Sequence, residues 1–286
     1  MARNSKSRLG KDLEPAKPSA ADPVAELTET GSLSFATPTE FVELPSEGRH
    51  YPEEHPLHNV ATVEIKYMTA KEEDILSSKT LIKQGVAIER LLKSIIVDKR
   101  IRPDSLLSGD RNAILVACRI NGYGSDYSTK ISCPSCMNSA DQEFDLSILS
   151  NRESPEAEEN DFEWTSPNTI SVVAPLCKVR VEMKLMTGKE ENYLARLVES
   201  KRKKKMPEST LTDTLNILIA SVNGEESRAI IKEFIGIIPA RDSRFLRGIY
   251  EQAAPNLDMT QTFECEVCSY VTDLEVPFTT DFFWPK

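Results

Sequence analysis

A 14-residue phrase occurs twice in this chain, and that repetition limits what it can fold into. Residues 63–76, opening Val63-Glu64-Ile65-Lys66, align with residues 181–194 at an offset of 118, and nine of the 14 positions are identical. Further on the offset becomes 132: Asp110 falls on Asp242, Cys133 on Cys265, Cys136 on Cys268 and Asp141 on Asp273. The second copy therefore carries 14 extra residues, with a natural place around the basic run 201–205. Solenoid repeats have periods of ~20–50 residues, so a period this long means a duplicated domain.

The duplication explains the cysteines. Two C-x-x-C units, Cys133/Cys136 and Cys265/Cys268, lie 132 residues apart, far beyond the ~15–20 residues between knuckles of a compact zinc ribbon. If each copy supplies one knuckle, a pseudo-twofold pairing brings four sulfurs to one tetrahedral metal. Four thiolates close a structural zinc site and leave no open catalytic position. Neither unit opens a helix after a buried strand, as a thioredoxin-like redox pair would. Cys118 and Cys177 stand alone and read as buried, inert thiols.

Between these landmarks the periodicities are mixed. Residues 62–67 alternate as a half-buried strand and lead into Thr69-Ala70-Lys71-Glu72, a capping box that the second copy repeats as Thr187-Gly188-Lys189-Glu190. The acidic clusters 72–74 and 190–191 sit in first helical turns, where they complement the macrodipole; that structural role outweighs a catalytic one. Residues 81–97 form the clearest amphipathic helix, Asp110 caps another, and Gly122-Tyr123-Gly124 ends it. In the second copy strands are expected at 169–173 and 179–185, and helices at about 189–201, 209–220, 227–234 and 242–252. The expected fold is α+β and internally duplicated, each half with a small antiparallel sheet, a helical cluster and a C-x-x-C hairpin. The divisions are a disordered arm over 1–35, a first repeat over 36–150, an acidic linker over 151–161 and a second repeat over 162–286. The arm has too few large apolar residues to offset its ordering entropy.

Composition narrows the function. With 35 Lys and Arg against 45 Asp and Glu the formal charge is −10, which argues against general polyanion binding. No apolar run approaches ~18 residues, so no membrane span is expected. The three histidines, His50, His55 and His58, lack the spacing of a helical ligand pair and read as a solvated loop. No phosphate-cradling glycine loop, nucleophile elbow or H-E-x-x-H occurs, so the chain reads as a non-enzyme. The run 201–205 keeps a zinc-knuckle nucleic-acid-binding or adaptor protein as the alternative. Phe278, Phe282, Phe283 and Trp284 pack back into the core or anchor a partner.

One set of phrases points to a family: Leu44-Pro45-Ser46-x-Gly48, Met68-Thr69-Ala70-x-Glu72-Glu73, Gly109-Asp110-Arg111, Ile120-x-Gly122-Tyr123-Gly124, and the ending Asp281-Phe282-Phe283-Trp284-Pro285. Together with the cysteine pairs they resemble the baseplate hub subunits and hub-assembly proteins of contractile-tailed, T-even-like bacteriophages, from about Phe41 to the C-terminus. The resemblance implies a role at the centre of the tail baseplate without catalysis. It also implies other phage baseplate and tail proteins as partners, and a location in the host cytoplasm during assembly or in the virion tail.

Overall fold

The structure is a computed structural model that describes residues 26–27, 33–34, 37–152, 161–277 and 280–283. Met1–Pro38 and Thr39–Lys286 are separate units. In the first, β1 (Glu26–Leu27) pairs antiparallel with β2 (Leu33–Ser34). The rest of the expected arm lies outside the described residues, as does most of the acidic linker.

The second unit is α+β, built of small antiparallel sheets and helical clusters. The alternation around Val63 and Ile65 becomes β4 (Thr62–Lys66), which buries both residues and pairs with β3 (Thr39–Glu43). The chain then passes through α1 (Ala70–Ser77), α2 (Lys79–Lys83) and α3 (Ala87–Ile95). The single helix expected over 81–97 is thus two. Gly85 adopts φ +67° between them, a left-handed conformation that ends α2 and costs glycine little. Only the second piece is deeply seated: Leu91, Leu92 and Ile95 are buried, whereas Ile82 is exposed. Ile96 then returns to bridge Ile65 of β4.

After α4 (Ser108–Tyr123), ended by Gly124 at φ +84°, a long hairpin follows, β5 (Asp126–Ser132) with β6 (Ser139–Asp145). Next come β7 (Ser150–Asn151), β8 (Phe162–Ser166), β9 (Thr169–Val173) and β10 (Arg180–Lys184). The helices α5 (Gly188–Lys203) and α6 (Thr210–Leu218) lead into β11 (Ile219–Val222). Ile219 and Ala220 are therefore strand, not the end of the helix expected to reach 220. A β-branched residue gains from the pleated edge, where β11 pairs β10 in the four-stranded order β11-β10-β9-β8. The chain closes through α7 (Arg228–Ile237), α8 (Ala240–Ala253), β12 (Leu257–Asp258), and the hairpin of β13 (Thr260–Glu264) with β14 (Val271–Glu275).

Two cores result. One gathers Leu44, Ile65, Leu92, Ile114 and Tyr127 with later residues Leu257, Met259, Val276, Phe282 and Phe283. The other gathers Ile170, Val181, Met183, Ile219, Ile231 and Leu246. Phe282 and Phe283 pack inward, Phe282 edge-on to the Tyr127 ring with centroids 5.2 Å apart. Phe278 and Trp284 lie outside the described residues. The crossing between the cores is backbone-tight: Ser108 N–H donates to the Met186 carbonyl at 3.0 Å, and Gly188 N–H to the Leu106 carbonyl at 2.9 Å.

Candidate metal centre

Each C-x-x-C forms the tip of an antiparallel hairpin whose strands are fixed by a full ladder of pairs. The first turn closes with Met137 N–H on the Cys133 carbonyl at 2.9 Å and Cys133 N–H on the Asn138 carbonyl at 2.8 Å. The second repeats it, Ser269 N–H on Cys265 at 2.8 Å and Cys265 N–H on Tyr270 at 2.9 Å. Met137 and Ser269, at equivalent positions, both adopt left-handed backbone, φ 59° and 52°. This turn aims both sulfurs of a knuckle to the same side.

The two tips meet. The four Sγ atoms of Cys133, Cys136, Cys265 and Cys268 all lie within 4.8 Å of one another. Across the knuckles, Cys133 Sγ is 3.7 Å from Cys268 Sγ, and Cys136 Sγ is 3.7 Å from Cys265 Sγ. A disulfide would require about 2.05 Å. A tetrahedron with Zn–S bonds of about 2.3 Å has an edge of about 3.8 Å, so the donor set fits one four-coordinate ion. The first cysteine of each knuckle is buried and the second exposed, giving the centre a dry and a wet side. Behind it Cys133 and Cys265 pack with Phe263, Ile131 and Leu274. Backbone N–H groups of Cys268 and Val267 directed at its sulfur bring the Cys265 thiol down to about 7, whereas the facing Cys136 thiol, although the Asn138 backbone lowers it, is pushed up to about 12 by desolvation and its three neighbouring thiols.

The remaining cysteines and the histidines have other roles. Cys118 is buried on α4, and burial pushes its thiol up to about 12. Cys177, expected to be buried, is only half-buried: its N–H donates to the Asp242 carboxylate at 2.9 Å and its side chain packs against the second core. The histidines are not a solvated loop. His50 Nδ1 lies 2.6 Å from the Pro167 carbonyl and its ring stacks on Trp164, His55 stacks on Tyr51, and His58 Nδ1 lies 2.8 Å from the Tyr51 carbonyl. All three are half-buried, with a ring nitrogen of each serving a backbone carbonyl or nearby hydroxyl, contacts that sequence spacing does not display.

Sequence reasoning missed what the two equivalent aspartates do. Asp110 lies inside α4 and does not cap it. Fully buried, its carboxylate accepts from Ser46 N–H (3.0 Å), Ser46 Oγ (2.6 Å) and Tyr51 Oη (2.7 Å). Asp242, near the start of α8, accepts Leu176 and Cys177 N–H, both at 2.9 Å. Each therefore pins a proline-bearing turn that follows a strand, the Pro45 turn after β3 and the Pro175 turn after β9. The recurring Asp was the available signal, since the same residue type at the 132 offset served no visible motif.

Comparison of the sequence with known families gives a match to the family described as T4 bacteriophage base plate protein, over residues 37–284. The chain belongs to that family. No curated protein and no solved structure gives a significant match. As a phage base plate protein it is a structural component of the tail, with other phage tail proteins as neighbours. Among the described residues of this base plate protein, no helix is long and apolar enough to cross a membrane.

Proposed function

We propose that this protein is a non-enzymatic subunit or assembly factor of the baseplate hub, acting through protein contacts, and that Cys133, Cys136, Cys265 and Cys268 hold one structural zinc. The observation that carries the metal reading is the pair of 3.7 Å cross-knuckle separations, the edge of a tetrahedral sulfur site. The hub assignment rests on the sequence phrases that resemble hub proteins. A non-catalytic role is supported by the buried carboxylates, which are committed to the fold: Glu72 to Thr69 and Ser94, Asp110 to Ser46 and Tyr51, Asp213 to Lys201, Asp242 to two amides.

We also read the chain as two halves of one ancestral unit. Both halves have a capping box after an inner strand, and in both a residue following a helix (Ile96, Ile219) pairs back onto that strand. The offset runs from 118 at the capping boxes to 123 at Ile96 and Ile219, and 132 at the aspartates. On this alignment only five of the 14 extra residues fall near the basic run, and nine fall in the stretch containing α7. The basic run gives the nucleic-acid alternative little support, because Lys201 is paired with Asp213 at 2.6 Å and Lys203 with Glu199 at 2.7 Å.

Native mass spectrometry with and without a chelator tests the metal reading and distinguishes zinc from iron. One zinc per chain is expected; no bound metal and six free thiols would overturn it. Antibody labelling of purified baseplates tests the hub reading, which fails if label falls at the periphery alone.

A further inference from the structure

The metal-bearing tip presents an apolar surface. Met137 is 75% exposed, Val267 67%, Val271 56% and Tyr270 41%. All four sit in or beside the knuckles, two hairpins contribute them, and the tip-to-tip meeting of the cysteines gathers them around the four sulfurs. Scattered exposed apolar residues need no explanation, but a group assembled from two remote segments at one point marks a contact surface.

The surrounding charge says what covers it. Between Asp126 and Asp145 the first hairpin carries Asp126, Asp141, Glu143 and Asp145 against Lys130 alone. Between Thr260 and Glu275 the second carries Glu264, Glu266, Asp273 and Glu275 and no cation. The formal sum is −3 for the first and −4 for the second, so −7 of the chain's −10 resides in these two hairpins. A nucleic acid is repelled by such a field, and a second copy would bring two −7 arms face to face.

We propose that the cysteine tip is the docking surface for another phage baseplate protein, one that offers an apolar patch ringed by lysine and arginine. Met137, Val267, Tyr270 and Val271 supply the buried centre, with Glu266 and Glu264 on the rim. This rests on the reading of the protein as a metal-clamped baseplate component. The clamp would fix Met137 of one hairpin against Val267, Tyr270 and Val271 of the other, and the acidic rim would speed encounter in a salt-dependent way.

The test is site-specific photo-crosslinking during infection. The full-length protein, with Tyr270 replaced by p-benzoyl-phenylalanine, is supplied to cells infected by phage lacking its own copy, with Val267 as a second probe position. The expected product is a crosslink to a different baseplate protein, mapped to apolar residues flanked by Lys or Arg. A crosslink only to another copy of this chain overturns the proposal, as does no crosslink from either position while phage still assemble. In parallel, Met137→Ser/Val267→Ser should lower phage yield at least 10-fold while metal content and melting temperature stay at wild-type values. Unchanged yield overturns the docking role. Absence of metal in the wild-type protein, with the crosslink intact, would instead remove the zinc reading and leave the docking surface standing.

Discussion

A single buried carboxylate, Asp110, does more for the first core than its place on a helix suggests. Its environment is dry, so burial pushes its carboxyl up even as three donors from Ser46 and Tyr51 pull it down. Asp110→Ala strips all three donors of their acceptor inside the core and should cost about 2–4 kcal/mol in urea unfolding. Tyr51→Phe is the control. It removes one bond to Asp110 and orphans the Leu107 N–H that Tyr51 Oη accepts at 3.0 Å, for a loss of about 1–2 kcal/mol. At this scale the cysteines were legible because their chemistry needs a fixed spacing, which a sequence displays. Asp110, His50 and His55 were not, because their hydrogen-bond partners lie 50 or more residues away and nothing local encodes the meeting.

Elements announced themselves where capping and periodicity are local. The capping boxes at Thr69/Glu72 and Thr187/Glu190 stand where the sequence put them. Burial raises both glutamate carboxyls, but Ser94 with Thr69, and Thr187 with Lys184, outweigh it and hold them below the ordinary carboxylate range. A depressed folded-state pKa contributes stability that is present above about pH 4.5 and is lost as pH falls through the lower folded value. Stability followed by denaturant midpoint should therefore fall steeply below about pH 4.5, and the Glu72→Gln/Glu190→Gln double variant should be less stable at neutral pH with a flatter acid limb. Element boundaries depended on less local facts. The strand at Ile219 follows from pairing onto a distant strand, and the break at Gly85 from a single left-handed residue inside an otherwise periodic stretch. Close packing between elements is equally silent in sequence. A Cβ on Gly109 of α4 would stand 1.9 Å from the Pro255 carbonyl oxygen, a backbone atom that cannot swing aside. Gly109→Ala should destabilise by about 1–3 kcal/mol or more, read from the melting curve.

For the whole molecule, the class and the family were readable from phrases and cysteine arithmetic, but the way the cores share the chain was not. Residues 257–283 belong by order to the second half, yet they complete the first core, with the Arg119 guanidinium gripping the carbonyls of Phe282 (2.7 Å), Gly124 (2.6 Å) and Asp126 (2.9 Å). The proposed zinc crosses the same boundary. Chelation, or Cys133→Ser, is expected to lower the melting temperature by at least about 5 °C, at ~2–4 °C per kcal/mol for a chain of this size. A Cys133→Ser protein with unchanged melting and metal content would refute the clamp.

The exchange of residues 257–283 into the first core also sets a clock. A ribosome adds roughly 5–20 residues per second, so the 135 positions between Cys133 and Cys268 take on the order of 7–27 s to synthesise. Throughout that interval the proposed metal has only the two ligands of the first knuckle, and the first core lacks Phe282 and Phe283. The nascent protein therefore cannot finish its first-made half first: the proposed metal ligands and the last contacts of the first core are both completed only by residues 257–283.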